Sequence, residues 1–265
     1  MTRITIGQYY PTNSAIHRMD PRFKLLGTIF YITALFFVNN FVGYGLAAAF
    51  IFILVRLAKV PLLFLFRGLR AVLFILFFAV IINLFMTPGE NVLFSLGFIS
   101  ITSEGVMMAV QMALRLILLI TGSSILTLTT SPIQLTDGIE SLLRPLKIIK
   151  VPAHDIAMMM TIALRFIPTL AEEMDKIMKA QKARGADLDT GGLLKRAKSL
   201  LPILIPLFVS AFKRADELAT AMEARCYRGD VNRTRMKVMQ ISRSDWVAAG
   251  IVAVYGVLLF LTRLL

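Results

Sequence analysis

The chain has 265 residues, of which 57% are apolar, and its mean hydropathy of +0.74 is higher than a soluble domain of this length accommodates. A formal net charge of +13 is compatible with nucleic acid, anionic lipid or an acidic protein as partner, but cytoplasmic loops of membrane proteins also accumulate lysine and arginine. Cys226 is the single cysteine, which excludes an internal disulfide. The two histidines lack carboxylates at metal-ligand spacing, so no metal site is predicted.

Five apolar stretches are predicted to cross the membrane, because about 20 helical residues span the hydrocarbon core of a bilayer. The chain is polar up to Lys24, and the apolar stretch that follows continues to Phe41 without a cleavage site of small residues, so it is predicted to be a retained span. The predicted spans cover residues 25–41, 45–60, 69–86, 105–129 and 246–261, and the first two form a hairpin that turns at residues 42–45. The predicted fold class is all-α, a polytopic membrane protein with about five transmembrane helices.

The distribution of basic residues predicts the orientation. Lysines and arginines precede the first span and cluster between the second and third, whereas the loop after the third span has Glu90 and Glu104 as its only charged residues. Because positively charged loops face the cytoplasm, the N-terminus is predicted to be cytoplasmic. Three regions result: four spans over residues 1–130, a cytoplasmic region over 131–245 and a last span over 246–265.

The cytoplasmic region is predicted to contain two long amphipathic helices. In the first, apolar residues share one face, and Glu172 and Lys176 form a charged pair one turn apart on another. This first apolar face comprises Leu170, Met174, Ile177 and Met178. In the second helix, apolar residues recur at steps of three and four, and alanines would let another helix approach closely. This second face comprises Phe208, Ala211, Ala215, Leu218 and Met222.

Two apolar stretches that contain prolines, residues 156–170 and 200–212, are not assigned as spans. We interpret them as interfacial or bundle-buried halves of the same two helices, which bend at Pro168, Pro202 and Pro206. The alternative that these stretches form additional membrane spans is left open by the sequence.

Several other residues have two interpretations. Asp20 and Pro21 are predicted to start the first helix as its N-cap and first residue, with lipid or substrate binding as the alternative. Arg115 is either a functional group inside the membrane or an inward-facing structural contact, with Gln111 or a backbone carbonyl. The methionines at 158–160, with Met174 and Met178, are either soft-metal ligands or, preferably, packing residues.

A basic cluster precedes the last span. It is predicted to meet anionic lipid rather than nucleic acid, because aromatic residues are not interleaved with it. The cluster comprises Arg233, Arg235, Lys237 and Arg243.

The two amphipathic helices end in the same way, the first in Ala183-Arg184-Gly185 and the second in Ala224-Arg225-Cys226. One explanation is local: an arginine in the last turn complements the helix dipole and binds free carbonyls, with glycine as left-handed cap. The other is that a guanidinium at the tip of a rigid helix presents a fork of donors to a carboxylate on another protein. The repetition favours the second explanation.

These tripeptides, together with the N-terminal segment Asp20-Pro21-Arg22-Phe23-Lys24-Leu25, resemble the T component of energy-coupling factor transporters. The resemblance covers essentially the whole chain: the N-terminal segment, four spans, long cytoplasmic coupling helices with paired arginine tripeptides, and a last span. The second tripeptide departs from the pattern, because Cys226 stands where glycine is common. This departure leaves Arg225 in place and concerns the local fit around it.

The resemblance implies a non-catalytic scaffold in the cell membrane of a prokaryote, with cytoplasmic coupling helices. The implied partners are two ATP-binding-cassette ATPase subunits, engaged by the two tripeptides, and a small membrane-embedded substrate-binding subunit, contacted by the two apolar faces. Transporters of this family import vitamins and, in some branches, transition-metal ions. The chain itself has no G-x-x-x-x-G-K-S/T phosphate loop, so nucleotide is expected on the partners and no cofactor on this chain.

The alternative hypothesis is an integral-membrane enzyme that acts on lipid. Such an enzyme needs clustered carboxylates, or a nucleophile with a base, near a membrane face. The acidic residues here are mostly dispersed along the two amphipathic helices, so this hypothesis ranks second.

Overall fold

The computed structural model describes residues 9–88, 91–96, 99–186, 192–229 and 239–262. An antiparallel hairpin of β1 (Val92–Leu96) and β2 (Ile99–Thr102) lies in the loop after the third predicted span, and a 3-10 helix occupies Arg144–Ile149. The α-helices are α1 (Ala15–Arg18), α2 (Pro21–Phe36), α3 (Phe41–Ala58), α4 (Leu62–Met86), α5 (Ser103–Thr129), α6 (Pro132–Leu143), α7 (Ala153–Ala183), α8 (Leu193–Ala224) and α9 (Arg243–Thr262). The all-α membrane class is therefore confirmed, with the hairpin as a small addition.

The described residues form two compact units. We call the first the membrane unit; it comprises the described residues of 7–138 and 239–265. The second, the coupling unit, comprises the described residues of 139–238.

Three helices of the described chain, α3, α5 and α9, are each long and apolar enough to cross a membrane. The two segments of α4, Leu62–Arg70 and Val72–Met86, provide a fourth candidate if they count as one span with a bend of 60°. The predicted first span corresponds to α2, which has 16 residues. Its length of about 24 Å is short of the roughly 30 Å hydrocarbon core, so the described residues give three or four candidate spans where five were predicted.

The turn between α2 and α3 covers residues 37–40, earlier than the predicted 42–45, which lie inside α3. Gly43 was predicted to lie in the turn, but it lies inside α3, where it allows close packing against Val38. A Cβ at this position would come within 2.7 Å of the Val38 side chain, so only glycine fits without displacement. The Tyr44 hydroxyl donates to the Val38 carbonyl at 3.0 Å and fixes the turn against α3.

Arg115 supports the same turn from α5. Its Nη2 donates to the Val38 carbonyl at 2.8 Å, and its Nε donates to the Tyr44 hydroxyl at 3.2 Å. One turn earlier, Gln111 donates to the Asn39 carbonyl at 3.1 Å. Of the two interpretations of Arg115, the structure therefore supports the contact with a backbone carbonyl, which satisfies an oxygen left free at the end of α2.

Aromatic residues of α2, α3 and α9 pack together in the core of the membrane unit. The rings of Phe50 and Tyr255 stack with centroids 4.1 Å apart, and Tyr31 stacks on both. The Tyr31 hydroxyl donates to the Leu118 carbonyl of α5 at 3.2 Å. A Cβ on Gly122 would clash with the Tyr31 ring, so α5 approaches α2 closely at that glycine.

A buried carboxylate joins the start of α9 to the start of α2. Asp245 is 1% exposed and accepts from the backbone N–H of Asp20 at 2.9 Å and of Ser242 at 2.7 Å. Asp20 in turn accepts from the N–H of Arg22 at 2.9 Å, with Pro21 at the first helical position. The predicted N-cap is therefore confirmed.

Lys24 continues this network one turn into α2. Its buried ammonium donates to the Thr129 carbonyl at the end of α5 at 3.0 Å and to the His17 carbonyl at the end of α1 at 3.3 Å. A cation is favourable where helices end, because carbonyl groups are free there. The N-terminal segment thus ties α1, α2, α5 and α9 together inside the membrane unit.

Candidate partner-docking site

The coupling unit is built on α7 and α8, which pack as an antiparallel pair. Gln181, near the end of α7, donates to the Pro202 carbonyl near the start of α8 at 3.3 Å. Further back along α7, Glu173 forms an ion pair with Arg214 at 3.1 Å and accepts from the Ser210 hydroxyl. As the residue number falls along α7, the number of its contact residue on α8 rises, so the two helices are antiparallel. With 31 and 32 residues, the two helices are about 46 and 48 Å long.

Glu173 is the charged contact between these helices. The hydrogen bond from Ser210 holds the pKa of the Glu173 carboxyl below its usual value, and the positive charge of Arg214 adds to this against a partial loss of hydration. The side chains of Arg214 and Glu173 are 38% and 25% exposed, so water screens the pair. Its main effect is to fix the register of the two helices.

The predicted apolar face of α7 is turned towards α8. Its residues are half-buried and lie on the same side of the helix as Glu173 and Gln181, which contact α8. These residues are Leu170, Met174, Ile177 and Met178. Their contact with a substrate-binding subunit stays a prediction, and within the coupling unit this face serves the pairing of the helices.

The predicted apolar face of α8 divides between two environments. Part of it is half-buried and part is exposed, because the side that faces α7 is centred on Leu207 and Arg214 rather than on Ala215. The half-buried residues are Ala211, Leu218 and Met222, and the exposed ones are Phe208 and Ala215. The contact of this face with a substrate-binding subunit stays a prediction.

An apolar strip lies on the exposed side of α8, within the proline-containing stretch predicted to be interfacial or buried. Its members recur at steps of four, three and four, which places them on one side of the helix. They are Leu201 (50% exposed), Ile205 (60%), Phe208 (61%) and Phe212 (71%). We call these four residues the α8 strip. Single exposed apolar residues are ordinary, but an aligned set of this kind indicates an interaction surface.

Arg184 is the C-cap residue of α7. The next residue, Gly185, has a left-handed backbone with φ of +84°. Its N–H donates to the Lys182 carbonyl at 3.0 Å, and the N–H of Ala186 donates to the Gln181 carbonyl at 3.0 Å. These two bonds define a Schellman motif, in which glycine is favoured at the left-handed position.

Arg225 occupies the same position at the end of α8. The next residue, Cys226, is left-handed with φ of +59°. The N–H of Cys226 donates to the Glu223 carbonyl at 2.8 Å, and that of Tyr227 donates to the Met222 carbonyl at 3.0 Å. The bond pattern is that of the first cap. Cys226 therefore takes a conformation that costs an L-residue about 1 kcal/mol or more, which is the physical reason why glycine is common there.

Both arginines are exposed, at opposite ends of the helix pair. Within the described part of the chain, neither guanidinium has an ion-pair or hydrogen-bond partner. Gln181 contacts Pro202, so Arg184, three residues further on, lies level with about the second turn of α8. Arg225 lies at the end of α8, about 26 residues later, so about 40 Å of helix separates the two arginines. Their tripeptide neighbours are exposed as well, namely Ala183, Gly185, Ala224 and Cys226. The structure therefore presents two separate, similarly built cationic points.

The remaining candidates have other environments. Among the described residues, no group of three or more His, Cys, Asp or Glu side chains is placed to hold a metal ion. Met158 Sδ lies 3.0 Å from the Tyr227 hydroxyl, whereas Met159 and Met160 are exposed. Of the basic cluster before the last span, Arg243 begins α9, and the other three residues lie outside the described part of the chain.

Fold and site together define a class: an integral membrane protein, all-α, that carries a paired-helix unit with two exposed arginine caps. The family model of CbiQ, described as cobalt transport protein, matches residues 12–238. The energy-coupling factor transporter transmembrane protein EcfT of Ruminiclostridium cellulolyticum is 57% identical over 252 residues, which cover 95% of this chain and 94% of that protein.

Proteins of the same name have similar identities. That of Clostridium kluyveri is 56% identical over 93% of this chain and 92% of its own length, and that of Thermosediminibacter oceani is 54% identical over 97% and 98%. The chain therefore belongs to the EcfT family, the transmembrane proteins of energy-coupling factor transporters. The resemblance found in the sequence is confirmed, and the chain is a membrane component of a transporter.

Proposed function

We propose that this chain is the membrane scaffold and coupling subunit of an energy-coupling factor importer. It links two ABC-type ATPase subunits to a membrane-embedded substrate-binding subunit, and ATP hydrolysis on the ATPases drives uptake of a vitamin or a similar micronutrient. The single observation that carries this proposal is the repetition of one arginine cap at the two ends of one helix pair. The names of the relatives support the transporter, and the division of labour among partners is our inference.

Arg184 and Arg225 each engage one ATPase. A guanidinium offers five N–H donors in a rigid fork and pairs with carboxylates in two parallel hydrogen bonds. The Schellman bonds hold each arginine backbone at the helix tip, so less freedom is lost when a partner binds. The separation of about 40 Å exceeds the diameter of a small domain, about 30 Å, so two globular partners can dock without competing for space.

The antiparallel pair transmits motion between the docking points and the rest of the transporter. A helix is stiff along its axis, and Glu173 with Arg214 fixes α7 against α8. A displacement applied at one arginine therefore moves the pair as a body rather than being absorbed by one helix. The chain supplies this mechanical link, and the ATPases supply the chemistry.

The α8 strip contacts the substrate-binding subunit. A partner embedded in the bilayer has an apolar surface, and four aligned exposed apolar side chains match it. Of the nine residues predicted from the sequence for this contact, Phe208 belongs to the strip and Ala215 is exposed beside it. The other seven are half-buried, so their contact with that subunit depends on how α7 and α8 separate.

The coupling unit and the N-terminus lie in the cytoplasm, where ATP is available, and the chain resides in the cell membrane of a prokaryote. Cys226 tests this orientation, because it is the single cysteine and is exposed. In cells that lack the ATPase subunits, so that the thiol is not covered by a bound partner, a membrane-impermeant maleimide is expected to label inside-out vesicles and to leave intact cells unlabelled. Labelling of intact cells would contradict the proposed orientation.

The docking points are tested by charge reversal. Arg184→Glu combined with Arg225→Glu is expected to leave insertion intact and to lower ATPase co-purification and uptake at least about tenfold, because each loses charge-assisted hydrogen bonds. The matched control is Lys179→Glu with Lys213→Glu, which makes the same change of charge at exposed positions of the same two helices. Unchanged capture of the ATPases by the arginine variant, or equal losses in the control, would contradict the proposal.

A further inference from the structure

The two arginine caps have the same backbone but different side-chain support. In the cap of Arg225, the residue that closes the last hydrogen bond is Tyr227. In the cap of Arg184 it is Ala186, whose methyl group has no hydrogen-bonding capacity. The two caps therefore differ in the side chain of this closing residue, and only the cap of Arg225 has one that can form further hydrogen bonds.

The Tyr227 side chain reaches the beginning of α7. Its hydroxyl lies 3.2 Å from Nε2 of His154 and 3.0 Å from Met158 Sδ, and its single proton is shared between these two acceptors. Tyr227 is half-buried, although it follows the exposed Arg225 and Cys226. One residue thus belongs to the cap at the end of α8 through its backbone and to the first turns of α7 through its side chain.

His154 extends this connection to α6. Its Nδ1 lies 3.2 Å from Oε1 of Glu140, and because a carboxylate only accepts, Nδ1 carries the proton. The side chains of His154 and Glu140 are 15% and 9% exposed, so the contact is shielded from solvent. Glu140 also places negative charge near the N-terminus of α7, where it complements the helix dipole. A chain of side-chain contacts thus connects the cap of Arg225, through Tyr227 and His154, to Glu140.

We propose that Tyr227 is the positioning residue of the Arg225 docking point. It holds the cap against α7 and, through His154 and Glu140, against the last turn of α6, so that a load on Arg225 passes directly to α6. The Arg184 point has no equivalent side chain in its cap and transmits through the axis of α7. The two docking points are therefore mechanically different. This proposal rests on the proposed function, because it takes Arg225 to bind an ATPase.

The test measures ATPase affinity with only one docking point intact. Full-length chain in lipid nanodiscs is titrated with the purified ATPases in an Arg184→Ala background, which leaves Arg225, and in an Arg225→Ala background, which leaves Arg184. Tyr227→Phe is then added to each. It is expected to raise the Kd about fivefold in the first background, the effect of one lost hydrogen bond, and less than about twofold in the second.

A second variant breaks the same connection without altering the cap. His154→Phe is expected to reproduce the selective loss in the Arg184→Ala background. The control is Tyr255→Phe, which removes a tyrosine hydroxyl that has no hydrogen-bond partner among the described residues and is expected to change neither Kd. A merely structural role would lower affinity in both backgrounds alike.

The outcomes separate the two proposals. Equal effects of Tyr227→Phe in both backgrounds, or none in either, would overturn the positioning role while leaving the docking role of Arg225 intact. If Arg225→Ala alone does not weaken ATPase binding, the proposed function fails at that point, whatever Tyr227→Phe does. Complete loss of binding on Arg184→Ala would show that the two points are not independent, and this would also overturn the inference.

Discussion

Arg214 lies 3.1 Å from Glu173, and this contact fixes the register of α8 on α7. The pKa of Glu173 is held below its usual value, first by the Ser210 hydroxyl and then by Arg214. In the unfolded chain its pKa is the ordinary value of a glutamate carboxyl. The ionised carboxylate therefore stabilises the helix pair fully above that value, and the contribution is lost as the pH falls through the lower pKa of the folded protein.

We predict that Glu173→Gln removes part of the acid sensitivity of the coupling unit. The measurement is hydrogen exchange along α7 and α8 in nanodiscs between about pH 3 and pH 7, expressed as protection relative to the intrinsic exchange rate at each pH. Protection is expected to fall at the acid end in the unchanged protein and to fall less in the variant. Glu172→Gln is the control, because Glu172 is exposed on another side of α7. The same pH profile for Glu173→Gln and the unchanged protein would contradict the assignment.

The left-handed conformation of Cys226 predicts a stabilising substitution. Cys226→Gly is expected to strengthen the cap of α8 by about 0.5–1 kcal/mol, because glycine reaches positive φ without steric cost, less the entropy it adds to the unfolded chain. Gly185→Cys at the matching position of α7 is expected to weaken its cap by a similar amount. Amide exchange of the residues after each helix measures both. Cys226→Ser keeps the strain and removes the thiol, so an equal gain from serine and glycine would contradict the conformational explanation.

The caps are the part of the site that the sequence predicts best. A helix end is a local feature, and the run Ala-Arg-Gly contains the residue that the left-handed position requires. The repetition in Ala224-Arg225-Cys226 predicted a second end of the same kind despite the cysteine. The start of α2 was predicted for the same reason, since Asp20 and Pro21 act on neighbouring N–H groups.

The features that sequence reasoning missed depend on contacts between distant residues. Gly43 indicated a turn, but its environment is set by the side chain of Val38. The side of α8 that faces α7 was not predicted, because the ion pair of Arg214 with Glu173, which joins two distant segments, fixes the rotation of the helix. Tyr227 carried no local signal, because the hydroxyl contact that defines it lies 73 residues away, at His154. The conformational preferences of neighbouring residues do not indicate contacts between residues that are far apart in the sequence.

We predict that Asp245 contributes to the stability of the membrane unit. It accepts two backbone N–H groups with two oxygens, and it is 1% exposed. Asp245→Asn keeps one acceptor and replaces the other with a donor, so it is expected to destabilise the unit by about 1–3 kcal/mol through an unsatisfied buried N–H. Thermal unfolding in nanodiscs measures the loss. Asp216→Asn, at an exposed position of α8, is the control, and equal melting temperatures for the two variants would contradict the role of Asp245.

We predict that the substrate-binding subunit binds to the α8 strip. Phe208→Asp places a charge in the middle of the strip, where burial against an apolar partner would cost several kcal/mol, so co-purification of that subunit is expected to be lost. Capture of the ATPases is expected to persist, because Phe208 lies about 25 Å along α8 from Arg225 and about 14 Å along it from the level of Arg184. Phe208→Leu keeps the apolar character and is expected to retain the subunit. Thr220→Asp adds the same charge at an exposed position on another side of α8 and should have little effect. Loss of the subunit with Thr220→Asp but not with Phe208→Asp would place its contact elsewhere on α8.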